Sequence, residues 1–284
     1  MDEIRGANAI LTGASRGIGT YIASTLAARG VNLALAARSP EGLETARRDA
    51  EARGVRAIAV ACDVTSPADR RRLVETSERE LGQVDILINN AGVQSTAALT
   101  DLTDDEIEGI LQTNLHASIA LTKMVLPGML ERRRGAVVNM ASMAGKAGLA
   151  YESIYSATKF GLVGFSEAVR HELAGTGVTI SAVCPTFVGN AGMWADADAG
   201  HAPLLAREVS PEKVAKAVLK AIKGSPEVLV TTGPIRPLLA MLDLAPSLRV
   251  PLLRSMGVTG VWKRVAERRR AEARGELPVP ATRE

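Results

Sequence analysis

Several kinds of protein are excluded by what this sequence has little of. Its 284 residues include two cysteines, Cys62 and Cys184, three histidines, and aromatic residues at 3%. Two cysteines cannot staple a disulfide-dense scaffold and do not have the spacing of a zinc site, so both are expected as buried, reduced thiols in a cytoplasmic protein. With no H-x-x-H or H-E-x-x-H spacing and His201 isolated, no metal centre is expected. Excess charge is equally scarce: 34 Lys and Arg stand against 31 Asp and Glu. A nucleic-acid partner would need a concentrated basic face, and none is expected. No long hydrophobic run exists either. The longest uncharged stretch, 173–195, is broken by Gly175, Gly177, Pro185, Gly189 and Gly192 and does not read as a membrane span. The start, Met1-Asp2-Glu3-Ile4-Arg5, lacks the features of a signal peptide, so export is not expected.

What is present is patterned. Short apolar, β-rich runs occur at 8–11, 31–37, 55–61, 84–88, 136–140, 178–183 and 228–230. Helical patterning fills the intervals 18–29, 41–53, 67–81, 103–132, 155–174 and 211–223. Strands without polar alternation, each followed by an amphipathic helix, indicate a parallel sheet covered on both faces. The expected fold is α/β, a Rossmann-like doubly wound sheet forming one domain over 1–234, with a helical extension over 235–284. Ser66-Pro67 and Ser210-Pro211 mark helix starts, and Thr103 with Glu106 matches a capping box. Gly30, Gly54 and Gly82 stand where helices should end.

The first strand runs into Thr12-Gly13-Ala14-Ser15-Arg16-Gly17-Ile18-Gly19, with a helix starting at Ile18. Glycines there let the backbone approach a pyrophosphate, and the helix N-terminus offers free N–H groups to the anion. Gly13, Ser15, Arg16, Gly17, Ile18 and Gly19 are therefore candidate cofactor residues. About 20 residues further on, an NAD site would place an acid against the ribose 2′-hydroxyl. This chain has Arg38 there, and Arg16 in the loop, so a 2′-phosphate and hence NADP(H) is expected.

Tyr155 and Lys159 are four residues apart, which puts both on one helical face. A neighbouring ammonium is expected to lower the phenol's pKa and make an acid–base device of the pair. Ser142, thirteen residues earlier, ends a strand at the same sheet edge. Together with Cys62-Asp63-Val64, Asn89-Asn90-Ala91-Gly92 and Asn114, these motifs resemble the short-chain dehydrogenase/reductase (SDR) family in order and spacing over about 4–232. The resemblance implies that Tyr155 exchanges a proton with the substrate oxygen, which Ser142 orients. It also implies that Lys159 holds the nicotinamide ribose and Asn114 supports a proton relay. Asp63 would contact adenine, Asn90 would line the cofactor floor, and Val188 would keep a backbone contact to the cofactor. One departure stands out: 185–190 reads Pro-Thr-Phe-Val-Gly-Asn, with Thr186 and Asn190 where the family commonly has glycine and threonine.

The implied reaction interconverts a carbonyl and an alcohol, on a homodimer or homotetramer. Gln94, Met143, Leu149, Glu152 and Trp194 are candidate substrate residues, suggesting a small lipophilic molecule. The rival reading is a catalytically silent NADP-binding regulatory or scaffold protein, against which the intact set of Asn114, Ser142, Tyr155 and Lys159 argues. The extension carries leucines and methionines in what read as short amphipathic helices, then six basic and two acidic residues over 263–274, which account for the chain's positive excess. Packing on the domain and weak contact with a membrane surface are both open readings of it.

Overall fold

Successive residues of each strand are buried on opposite faces of one sheet. Leu11, Leu33, Leu35, Ile86, Ile88 and Val138 point to one side, and Ile10, Ala34, Ala36, Leu87 and Val137 to the other. The computed structural model describes residues 4–197, 202–203 and 207–277; His201 lies outside them. The strands are β1 (Asn8–Thr12), β2 (Asn32–Ala37), β3 (Ala57–Ala61), β4 (Ile86–Asn89), β5 (Gly135–Met140), β6 (Val178–Pro185) and β7 (Glu227–Val230). All pair in parallel, in the order β3-β2-β1-β4-β5-β6-β7. The predicted doubly wound α/β fold is therefore the one observed.

Helices α1 (Ile18–Ala27), α2 (Pro40–Glu51), α3 (Pro67–Leu81), α4 (Asp104–Leu111), α5 (Ala117–Glu131), α6 (Ser153–Glu172), α7 (Met193–Asp196) and α8 (Pro211–Ile222) lie between the strands. After β7 come α9 (Arg236–Leu244), α10 (Arg249–Ser255) and α11 (Val258–Ala273). Residues of α1, α2 and α8 cover one face of the sheet, and those of α3, α5 and α6 cover the other. Each large aliphatic side chain so buried contributes roughly 1.5–3 kcal/mol.

The local signals act as read. Ser66 Oγ accepts from Asp69 N at 3.2 Å, Ser210 Oγ from Lys213 N at 3.3 Å, and Thr103 and Glu106 form the reciprocal box. Two expectations are corrected. The single helix over 103–132 is interrupted by a π-helical turn at Gln112–His116, which packs against α6 and buries Asn114. The extension is longer in helix than expected, since α11 runs 16 residues once its apolar side finds the substrate loop.

The strand order reverses between β1 and β4, opening a crevice at the carboxyl ends of the strands, where open α/β sheets bind ligands.

Candidate active site

The glycine loop is held by its neighbour strand. Thr12 Oγ1 accepts from Asn90 N and Ala91 N, both at 3.0 Å, while Asn90 Nδ2 donates to the Thr12 and Gly13 carbonyls, also at 3.0 Å. Asn90 thus braces the loop as well as lining the cavity above it. Gly17 caps α1 at φ 59° with no side-chain hydrogen bond, so the first N–H groups of the helix remain open to an anion. A Cβ on Gly19 would sit 2.0 Å from the Gly13 carbonyl oxygen. The backbone here is packed as tightly as atoms allow.

Ser15, Ile18, Arg38 and Asp63 line the same cavity. Asp63 Oδ1 accepts from Thr65 N at 2.9 Å and Thr65 Oγ1 at 2.7 Å, which leaves its other oxygen to the crevice. Arg38 is exposed at the end of β2 and pairs with no acid among the described residues. Arg16 is instead ion-paired to Asp196 of α7 at 2.7 Å. On the far wall Val188 is buried and bridges to Val209, and Asn190 takes a left-handed φ of 62°, a conformation asparagine tolerates.

Ser142, Tyr155, Lys159 and Asn114 converge at the floor. Ser142 leaves the end of β5 with Oγ accepting from Ala144 N at 3.1 Å. Tyr155 and Lys159 project from the first two turns of α6. Lys159 Nζ donates to the Met140 carbonyl at 2.8 Å and stands 5.3 Å from the centre of the Tyr155 ring. Asn114 ties the π-turn to the loop after β4: its Oδ1 accepts from Val93 N and its Nδ2 donates to Val93 O, each at 2.8 Å. A methyl group at Gly92 would lie 3.3 Å from Asn114 Oδ1 and 3.7 Å from Lys159 Nζ, so the amide and the ammonium share one small space.

Electrostatically the floor differs from the sequence expectation. Burial pushes the Tyr155 phenol up, opposed by its hydrogen bond with Ser142, and burial brings the Lys159 ammonium down to about 8. Lys159 gives its hydrogen bond to a carbonyl and not to the phenol.

The cavity over this floor encloses about 1110 Å³, above the ~300–1,000 Å³ of a single small-ligand pocket, as a site for a dinucleotide plus a substrate requires. Gln94, Met143, Leu149, Glu152 and Trp194 all line it. Its roof is aromatic. The centroids of Phe187 and Trp194 are 4.4 Å apart, and Trp262 of α11 meets Trp194 edge-on at 5.6 Å. Trp194 Nε1 donates to Glu208 at 2.8 Å. Leu239, Leu242, Leu253 and Met256 continue the roof. Phe187 and Trp262 were not among the site residues expected from sequence. A signal existed in the composition: with eight aromatic residues in the chain, both tryptophans meet at one place.

Three basic residues of α11 are engaged with the domain. Arg269 bonds Ser95 and Glu106, Arg270 lies 3.3 Å from Asp101, and Arg268 donates to the Ala197 carbonyl at 2.8 Å. Of the two readings of the extension, packing on the domain is what α11 displays. Exposed apolar side chains lie on and around α9 and α10, at Met241, Leu244, Leu248 and Val250. Among the described residues no cluster could hold a metal ion, and no helix is long and apolar enough to cross a membrane.

This site on this sheet defines a nicotinamide-dinucleotide oxidoreductase of the Rossmann type. The chain belongs to the short-chain dehydrogenase family, whose model matches residues 7–201. It is 43% identical over 246 residues to the ketoacyl reductase HetN of a Nostoc species, covering 86% of this chain and 85% of that one. It is 36% identical to the 3-oxoacyl-[acyl-carrier-protein] reductase FabG of Salmonella typhimurium, over 81% of this chain and 95% of the relative. Among solved structures it resembles a variant of actinorhodin polyketide ketoreductase with NADPH, at a TM-score of 0.74 and 36% identity, covering 80% of this chain and 96% of that chain.

Proposed function

We propose that this protein is an NADP-dependent ketoreductase that reduces a 3-oxoacyl thioester or a related lipophilic ketone, with Tyr155 as the proton donor. One observation carries the reading: Ser142, Tyr155 and Lys159 meet at the floor of a cavity whose roof is apolar and aromatic. The ketoacyl reductases it resembles supply the substrate class.

The residues fit the cofactor. The close-packed Gly13–Gly19 turn admits a pyrophosphate against backbone, the uncapped N-terminus of α1 faces it, and Arg38 is free to take a 2′-phosphate. Bound NADPH supplies a hydride to the carbonyl carbon. The chain's own residues do the rest. Ser142 Oγ–H holds the carbonyl oxygen, and Tyr155 Oη gives its proton to that oxygen as negative charge develops. Lys159 binds the ribose hydroxyls beside the phenol. Asn114 keeps the loop at Val93 in place and presents its amide to Lys159, from which a proton relay would start. Asp63 and the Val188 backbone position the two ends of the dinucleotide.

In this reading residues 1–234 are the catalytic unit and 235–284 an extension that closes the substrate chamber. A homodimer or homotetramer is supported by the apolar side chains that α5 and α6 leave exposed, Leu130 and Phe160. The functional test is NADPH consumption with 3-oxoacyl thioesters of increasing chain length. Turnover should favour longer chains, NADH should be used at least about tenfold less well, and Arg38→Ala should narrow that gap by about 10-fold. Equal Kd values for NADPH and NADH would sink the cofactor assignment, and no turnover on any ketone would sink the reading.

Contact with a lipid surface would rest on the exposed apolar residues on and around α9 and α10, since Arg268, Arg269 and Arg270 of α11 bond to the domain. In liposome flotation, the intact protein should float with anionic vesicles and Leu244→Glu/Val250→Glu should not. Equal behaviour of the two proteins would remove the idea.

A further inference from the structure

Glu152 is a buried acid that the reaction described above does not use. It stands at the N-terminus of α6, three residues before Tyr155, and is 2% exposed in the wall of the substrate cavity. A carboxylate at that position is placed to meet the open N–H groups of its helix. Glu152 makes no capping bond. Its Oε1 accepts from Thr96 Oγ1 across the cavity wall, and its Oε2 has no partner among the described residues. A buried polar oxygen left without a partner is unfavourable unless it is protonated or a ligand completes it.

The surroundings favour the protonated form. Burial pushes the carboxyl up to about 7, opposed only by the bond from Thr96. Tyr155 is the ionisable group on which its charge acts; Lys159, two turns further along the helix, donates to the Met140 carbonyl and not to Glu152. Beyond Ser95, Glu106 is already paired with Arg269. No cation is hydrogen-bonded or ion-paired to the Glu152 carboxyl among the described residues. Glu152 is near enough to Tyr155 for its charge to act on the phenol.

We propose that Glu152, as a neutral carboxylic acid, is a specificity-determining residue that donates a hydrogen bond from Oε2 to a second carbonyl of the substrate while Tyr155 serves the carbonyl being reduced. The ligand chemistry this selects is a 1,3-dicarbonyl, a ketone with an ester or thioester carbonyl two carbons away. No bond forms or breaks at Glu152, and its proton stays on the carboxyl throughout. The inference rests on the ketoreductase reading and adds the residue that would tell a 3-oxoacyl thioester from a plain ketone.

The test compares kcat/KM for a 3-oxoacyl thioester with that for a plain ketone of equal chain length, from pH 5.5 to 8.5. Wild type should prefer the thioester below pH ~7 and lose that preference above it, as the donor becomes a carboxylate. Glu152→Gln keeps an N–H donor and should retain the preference with no such pH limb. Glu152→Leu should lower kcat/KM on the thioester by about 10- to 100-fold and on the plain ketone by less than about 3-fold. Equal losses on both substrates, or an unchanged limb in the Gln variant, would overturn the proposal and leave the ketoreductase reading standing. Wild type inactive on both ketones would overturn the two together. If the Leu variant does not fold, the Gln variant and the wild-type pH dependence of the preference decide.

Discussion

Tyr155→Phe should abolish nearly all ketone reduction, lowering kcat by roughly 10²- to 10⁴-fold, the range a positioned proton donor supplies. NADPH should still bind within about 3-fold of the wild-type Kd, because the ring stays in place and the glycine loop is untouched. The magnitude follows from the burial of the site. In a floor shielded from water no solvent molecule replaces the phenol, and the oxygen of the carbonyl would have to carry its charge with Ser142 alone. Stopped-flow NADPH oxidation and fluorescence titration of the cofactor separate the two quantities. Normal turnover in the variant would remove Tyr155 from the chemistry; binding without turnover in the wild type would favour the silent scaffold. The same site predicts an alkaline limit common to all substrates. Lys159 is charged below about 8, and its ammonium is lost as pH rises through that value, so turnover should fall above it. A plain ketone, which Glu152 does not sort, should show this limit undisturbed.

Gly19→Ala should be the most damaging of the small substitutions. The added methyl would lie 2.0 Å from the Gly13 carbonyl oxygen and 3.0 Å from the Ala14 Cα, both backbone atoms, with no flexible side chain to give way. The turn must then open against the hydrogen bonds by which Asn90 holds it. Overpacking of this kind costs about 1–3 kcal/mol, and a displacement near 1 Å in a positioning loop costs about 100-fold in binding or rate. Isothermal titration should show NADPH affinity reduced by that order, and thermal unfolding a Tm lower by several degrees. Gly164→Ala supplies the contrast. That glycine lies in α6, exposed, with nothing within 4 Å of an added Cβ, and the change should stabilise the helix by roughly 0.5–1 kcal/mol. Wild-type cofactor affinity in Gly19→Ala would mean the loop does not hold the pyrophosphate.

Much of the scaffold was legible because its signals are short-range. The unbroken apolar run of β2, the caps at Ser66, Thr103 and Ser210, and the turns at Gly30 and Gly54 are each settled within a few residues. The cofactor and catalytic candidates from Gly13 to Val188 came from motifs and the family resemblance, and all but the fully buried Asn114 line one crevice. Other features were not accessible that way. Nothing in Gln112-Thr113-Asn114 announces a π-turn, which depends on α6 lying across it. Spacing placed an ammonium beside a phenol but did not reveal that burial would keep the phenol protonated.

Scarcity of cysteine and histidine and near-neutral charge argued against whole classes of protein at the outset, and only tertiary structure showed where the few aromatic residues are used. The sequence by itself determined the order of strands and helices, the glycine turn, and the face shared by Tyr155 and Lys159, since periodicity and helical spacing operate over one or two turns of chain. Tertiary structure decided that Trp262 closes over Trp194, that Arg269 meets Glu106, and that Glu152 turns from its helix toward Thr96. Those partners are far apart in sequence, and their meeting follows from how α11 and the loop after β4 pack over one cavity. Desolvation in that packing sets which groups are charged.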